Sequence, residues 1–225
     1  MKQLNFGTLN VKGLRKNYHN DGSLSLFLDN ILSDINKNKI DAIGVQESHL
    51  GEEEFLQRES GYLCYFVNDA NNRFHGTGIV IRELYNPIFR KISARVCTAS
   101  FKHDNKHFLF VSAYAPHEAL ANRFPEQREQ FYNDSQKALL QSSATTITIV
   151  ALDANARTSF NTELHSNVLG PFTKGSVTNN NGTCLIQYAA ENYLYITNTK
   201  FKHNMSRRST WTPPLVPLQE QEVER

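Results

Sequence analysis

Four apolar, strand-like runs in this chain each stop on a polar side chain able to do chemistry. Leu4 to Leu9 runs into Asn10, Asp41 to Gln46 into Glu47, His107 to Ala113 into Tyr114, and Thr145 to Leu152 into Asp153, with Asn155 two residues further on. Such a recurrence constrains the fold. Strands that each deliver a carboxylate, carboxamide or phenol at their ends share a rim when packed in a sandwich, and that rim is where a metal-assisted hydrolytic site is built.

Helical and turn signals lie between these runs. After a polar, Gly-punctuated stretch from Asn10 to Gly22, Ser23 is placed as an N-cap. Beyond it, Leu24, Leu28 and Leu32 and then Phe27, Ile31 and Ile35 form two i,i+4 rows, one broad stripe for packing on a sheet. The segment around Glu52 to Arg58 reads as a short helix, Tyr62 to Val67 as a strand, and Gly76 to Ile81 as another. Two runs, Ile92 to Phe101 and His107 to Ala113, flank the turn pair Asp104-Asn105 and predict a hairpin, with Lys102, His103, Lys106 and His107 at its tip. Pro125 to Gln141 carries a helical pattern, and the β-branched run from Thr145 is the firmest strand. A helix near Cys184 to Asn192 and a strand over Tyr193 to Thr197 complete the pattern. Because strands and helices interleave around an antiparallel hairpin, the expectation is a mixed sheet and not a doubly wound one.

Composition narrows the class without choosing a partner. The 225 residues suffice for one two-layer domain, and 24 Lys+Arg against 22 Asp+Glu give neither a basic nucleic-acid footprint nor an acidic tail. Cys64, Cys97 and Cys184 are far apart, each within an apolar run and without zinc spacing, so buried reduced thiols are expected. The polar start, Met1-Lys2-Gln3, and the absence of a long apolar run predict a soluble, intracellular protein, nuclear or cytoplasmic.

Each strand-end residue has an ordinary alternative. Taken alone, Glu47 reads as a solvated loop glutamate, Asn155 as a turn residue and Tyr114 as an aromatic covering the core, while Asp153 reads equally as a turn cap. Only the set favours chemistry. Hydrolysis of a phosphodiester needs a cation at the phosphate, a group to activate or position water, and donors for the equatorial oxygens. Glu47 suits a hard Mg²⁺ ion, and His49 two residues on could be a third ligand, although a lone loop histidine is more often a surface residue. Lys200, Lys202, Arg207 and Arg208, interleaved with Phe201 and Trp211, can face a phosphate backbone or stand as a solvated basic loop.

Taken in order, Thr8 to Leu14, Val45-Gln46-Glu47-Ser48-His49-Leu50, Ser112-Ala113-Tyr114-Ala115-Pro116-His117 and Ala151-Leu152-Asp153-Ala154-Asn155-Ala156 resemble the motifs of the endonuclease/exonuclease/phosphatase superfamily. Through Asn179 to Leu185, Ile196 to His203 and Ser209-Thr210-Trp211-Thr212-Pro213, the resemblance is closest to the apurinic-type endonuclease domain of non-LTR retrotransposons. It covers residues 1–214 and leaves 215–225 as an unrelated tail. It implies a deoxyribonuclease I-like, four-layer αββα sandwich of two mixed sheets, an α/β fold of the α+β kind. It also implies DNA nicking with Mg²⁺ or Mn²⁺. By carry-over, Asn10 and Glu47 bind metal, Asp153 activates water, and Tyr114 and Asn155 contact phosphate or the attacking water, while Lys12 and Thr210 lie against DNA.

The resemblance also implies departures. Leu9 stands where a Trp is usual, and Leu152-Asp153-Ala154-Asn155 stands for Gly-Asp-Phe-Asn. The family's later strand aspartate and Ser-Asp-His triplet find no match, because Asp153 is the last aspartate here and His203 the last histidine. The expectation is therefore a truncated copy lacking its last strands, with impaired cleavage. A non-catalytic interaction module and a small-molecule phosphoesterase remain the alternatives.

Overall fold

β1 (Phe6–Asn10) lies parallel to β2 (Ala42–Gln46), and that pairing sets Asn10 opposite Gln46 at one rim. The computed structural model describes residues 3–14, 26–50, 53–69, 72–159, 167–173 and 177–204, the side chains of 26, 27 and 72–74 excepted. Five strands form the first sheet in the order β1-β2-β5-β4-β3, with β3 (Glu54–Glu59), β4 (Tyr62–Asp69) and β5 (Asn72–Arg82) antiparallel. The second sheet has the order β6-β7-β8-β9. Its members are β6 (Ile88–Ser93), β7 (Val96–His103), β8 (Lys106–Tyr114) and β9 (Thr146–Asp153). β8 and β9 are parallel, and this puts Tyr114 opposite Asp153. Both sheets are mixed, as the sequence predicts.

Period-2 alternation assigns the two faces of the first sheet. Ile43, Val45, Cys64, Phe66 and Val80 face α1 (Leu26–Lys37), whose Leu28, Ile31, Leu32 and Ile35 are buried against them. Each such side chain contributes about 1.5–3 kcal/mol on burial. Ala42, Tyr65, Val67, Ile79 and Ile81 face the other way and pack against Cys97, Ala99, Phe101, Phe108, Phe110 and Ala151 of the second sheet. α2 (Glu118–Arg123) precedes α3 (Pro125–Leu139), which lies on β6 and β7. The layers run helix, sheet, sheet, helix, the expected αββα sandwich. Ser23 and Leu24, placed in the cap and first turn of α1 by the sequence, lie outside the described residues.

Gly44 sets how closely the sheets approach. A Cβ there would sit 2.5 Å from Ala151 Cβ and 3.0 Å from Ser112 Oγ, so only hydrogen fits. Beside it, Gln46 Nε2 donates to Ser112 Oγ and to the Ala151 carbonyl, both at 3.3 Å, and Thr77 Oγ1 pairs with Ser112 Oγ at 2.8 Å. Thr8 Oγ1 adds a bond to Gln46 Oε1 at 3.0 Å. This buried polar seam is satisfied internally and pins the two sheets just below the rim. At the opposite end Asp41, also buried, accepts from Tyr85 OH at 2.6 Å and from the Asn5 amide at 2.8 Å.

Three elements differ from the sequence reading. Glu52 to Arg58 holds no helix among its described residues: Glu54–Glu59 is an edge strand, half-buried at Phe55, Gln57 and Glu59 and exposed at Glu54, Leu56 and Arg58. Its cause is the two-residue turn at Ser60 and Gly61, φ +51° and +79°, which pairs Glu59 with Tyr62 as a hairpin. Ile92 to Phe101 is not one strand, because the chain turns at Ala94-Arg95 between β6 and β7. Tyr193 to Thr197 forms no strand among the described residues. Tyr193 takes φ +56°, and the segment winds into a 3-10 turn, Thr197–Thr199. There Thr199 Oγ1 donates to the Ile196 carbonyl at 2.6 Å, a local bond that competes with any ladder.

The chain divides into two compact units, residues 1–155 and 156–225, and all nine described strands belong to the first. In the second, α4 (Asn180–Glu191) is capped by Asn179, whose side chain accepts from Gly182 N at 2.9 Å. Ile186 and Ala189 of α4 bury against Val168 and Leu169. Cys64 and Cys97 are buried free thiols, while Cys184 is half-buried on α4, a correction to its expected burial. Burial raises the Cys64 thiol to about 12. No helix among the described residues is long and apolar enough to cross a membrane.

Candidate active site

The two parallel pairs end on the same rim, and one hydrogen-bonded chain joins their last residues. Asn10 Nδ2 donates to Glu47 Oε1 at 2.7 Å and to Asp153 Oδ2 at 2.8 Å. Tyr114 OH lies 3.0 Å from Glu47 Oε1 and 3.1 Å from His117 Nε2. Asp153 Oδ1 accepts the Asn155 amide at 3.1 Å, and Asn155 Nδ2 donates to the Ala115 carbonyl at 2.9 Å. Asn10, Glu47, Tyr114, Asp153 and Asn155, named from their places at strand ends, thus form one cluster drawn from both sheets.

Backbone geometry aims these side chains. Glu47 has φ +56°, Asn155 +45° and Lys12 +50°, left-handed conformations that cost non-glycine residues of order 1 kcal/mol or more each. The bends follow directly on the strands, so the chain leaves the sheet while the side chain stays at the rim. Lys12 is exposed there, its amide bonded to Asn10 Oδ1 at 3.0 Å. His49 Nε2 lies 3.8 Å from Glu47 Oε2. Thr210 and Trp211 lie outside the described residues.

Electrostatics keep Tyr114 a phenol. Burial raises its pKa, and the charge of Glu47 and the hydrogen bond to it raise it further. Arg95 reinforces the residue from behind: its guanidinium sits 5.1 Å over the Tyr114 ring, and Nη1 donates to the Tyr114 carbonyl at 3.2 Å. Arg95 Nη2 in turn donates to His75 Nε2 at 2.6 Å, a contact that requires a neutral imidazole. Burial, and then the Arg95 charge, push His75 down to about 4. Arg95 carries no signal in the sequence, because Ala94-Arg95 looks like the interior of a strand from Ile92 to Phe101 and is in fact a turn. His117, three residues beyond Tyr114, was legible only as part of the Tyr-Ala-Pro-His stretch.

Two carboxylates and a carboxamide are the groups available to a cation. The amide hydrogens of Asn10 occupy the space between Glu47 and Asp153, a place that favours positive charge. No group of three or more His, Cys, Asp or Glu side chains that could hold a metal ion occurs among the described residues. The set fits a hard ion that takes one or two carboxylates and keeps several waters, and not a fully protein-caged one.

Comparison with known proteins agrees with this architecture. The family described as "Endonuclease/Exonuclease/phosphatase family" matches residues 7–210. Craniofacial development protein 2 of Bos taurus is 26% identical over 216 residues, which is 92% of this chain and 33% of the relative. The chain therefore spans about a third of that relative's length. Among solved structures, the endonuclease domain of TRAS1, a telomere-specific non-LTR retrotransposon, aligns with a TM-score of 0.50 at 9% identity, covering 82% of this chain and 68% of that one. The AP endonuclease LMAP of Leishmania major aligns with a TM-score of 0.50 at 20% identity, covering 68% and 56%.

Proposed function

From the premise that the chain belongs to the endonuclease/exonuclease/phosphatase family, we propose that its first unit is a divalent-metal-dependent phosphodiesterase acting on DNA, of retrotransposon origin. One observation carries the reading: the Asn10 amide bridges Glu47 and Asp153, at 2.7 and 2.8 Å, across the ends of two sheets.

Glu47 and Asn10 would hold Mg²⁺ or Mn²⁺, Asn10 by turning its amide oxygen toward the ion. Bound there, such an ion would supply positive charge against the phosphate. Asp153 accepts the proton of the attacking water at a carboxylate oxygen, and Asn155, tied to Asp153 and Ala115, orients that water. Tyr114 holds Glu47 in place through its hydroxyl. Lys12 meets the DNA backbone from the rim, and Thr210 is a second DNA contact of this reading. Proton handling at this rim falls on Asp153 and the few groups bonded to it, so slow turnover is expected of these residues by themselves.

Plasmid nicking with Mg²⁺ tests the reading. Slow nicking that EDTA and Asp153→Ala both abolish is expected. DNA binding without nicking at any metal concentration would replace the hydrolase by a non-catalytic DNA-binding module. Hydrolysis of a small phosphate ester with DNA left intact would replace the substrate class.

A further inference from the structure

Resting on the phosphodiesterase reading, we propose that His117 is a further substrate-contacting residue of this site, its Nε2–H resting on the Tyr114 hydroxyl and meeting a phosphate oxygen when DNA arrives. An ionised glutamate only accepts, so the 3.0 Å bond between Tyr114 and Glu47 uses the phenol hydrogen. The Tyr114 oxygen then has only lone pairs to offer, and its 3.1 Å contact with His117 Nε2 must be an N–H donated by the histidine.

The strand-end donors of Asn10 and Tyr114 are thereby turned inward. Both amide hydrogens of Asn10 go to carboxylates, and the single hydrogen of Tyr114 goes to Glu47. A phosphate at the rim therefore finds no donor in Tyr114. His117 stands at the outer end of the chain of bonds, exposed, with its ring edge-on to Tyr114 at 6.1 Å between centroids. Its partner there is a neutral phenol oxygen. A hydrogen bond to an ionised oxygen is roughly twice as strong as one to a neutral oxygen, so exchange of phenol for phosphate is favoured. The backbone at His117, φ −58° and ψ 147°, follows Pro116 and precedes α2, so the ring swings from a fixed base.

The test uses the full chain labelled with ¹⁵N in histidine and held in EDTA, so that no cleavage occurs. Long-range proton–nitrogen spectra, with the His117 signal identified by its loss in His117→Asn, are expected to show the Nε2–H tautomer, and a short DNA duplex is expected to shift that signal. His117→Ala should weaken duplex affinity by about tenfold, the loss of one charge-assisted bond, and His117→Gln should recover part of it. An Nδ1–H tautomer, a His117 signal unmoved by DNA, or unchanged affinity in a folded His117→Ala would overturn the proposal. Plasmid nicking on the same preparation separates the two ideas. Nicking with a silent His117 removes the contact and keeps the hydrolase, whereas a responsive His117 without nicking keeps the contact and removes the hydrolase.

Discussion

Asn10 on the first sheet donates to Asp153 on the second at 2.8 Å, joining strand ends 143 residues apart in the chain. The same nitrogen reaches Glu47, so one amide fixes both the sheet alignment and the spacing of the two carboxylates. Asn10→Leu is expected to cost about 1–3 kcal/mol, because two carboxylates lose their donor at a partly buried rim. Nicking should fall at least tenfold with it. Urea unfolding of a Leu variant as stable as the parent would show that the bridge holds nothing together.

Glu47→Gln separates charge from shape. Its amide oxygen still accepts from Asn10 and Tyr114, so stability without metal should stay within about 1 kcal/mol of the parent. Metal at a hundred times its dissociation constant adds about 2.7 kcal/mol to a protein that binds it only when folded. That gain, read as a rise in Tm on adding Mg²⁺, should vanish in Glu47→Gln. An equal rise in both proteins would place the ion elsewhere.

Tyr114→Phe keeps the ring beneath Arg95 and removes the hydroxyl. Glu47 then loses a donor and His117 an acceptor, at a cost of about 1 kcal/mol in stability. The rate should drop about tenfold to a hundredfold, as expected when a bond to a charged group is lost. Steady-state nicking rates decide it; full activity in the Phe variant would make Tyr114 a packing residue.

The parts of the fold and site that were legible in the sequence share a physical origin. β2 and β8 are nearly continuous apolar runs because both faces are covered, β9 is a β-branched run although it is mostly half-buried, and the residue that ends each run stands out by contrast. β3 was obscured because it is an edge strand with little apolar content, and its best signal was the Ser60-Gly61 turn and not its own composition. The Tyr193 segment carries strand-like side chains, yet Thr199 captures its backbone locally. Arg95 and His75 were invisible as a pair. Their meeting depends on a turn between β6 and β7 and on the register shift between β4 and β5 beside His75, neither of which spacing encodes.

His75 makes acid stability a measurable consequence. Its pKa stands near 4 in the folded protein, against 6.5 as the ordinary value, so the unfolded chain binds a proton in that window and the folded one does not. The contribution of His75 is complete above about 6.5 and is lost as pH falls toward 4, below which this group adds no further slope. Denaturation midpoints across that range should fall more steeply for the parent than for His75→Gln. Parallel profiles would mean that another group governs the acid limb.

Gly44 and Ala151 offer the sharpest check on how the sheets hold the site. A methyl group at Gly44 would meet Ala151 Cβ at 2.5 Å, closer than any relaxed contact, so one sheet must move. The seam of Gln46, Thr77 and Ser112 resists that movement, and Gln46 lies directly before Glu47. Gly44→Ala should therefore cost about 1–3 kcal/mol and lower nicking as the Glu47 and Asp153 ends are pushed apart. Ala151→Gly alone opens a small gap and costs about 1 kcal/mol through added chain entropy and lost packing. Combined, the two substitutions exchange the methyl from one sheet to the other. The double variant should recover most of both the stability and the rate, a coupling of about 1 kcal/mol or more. Strict additivity would show that the sheets do not touch at this point, and the account of how the rim is aligned would fall with it.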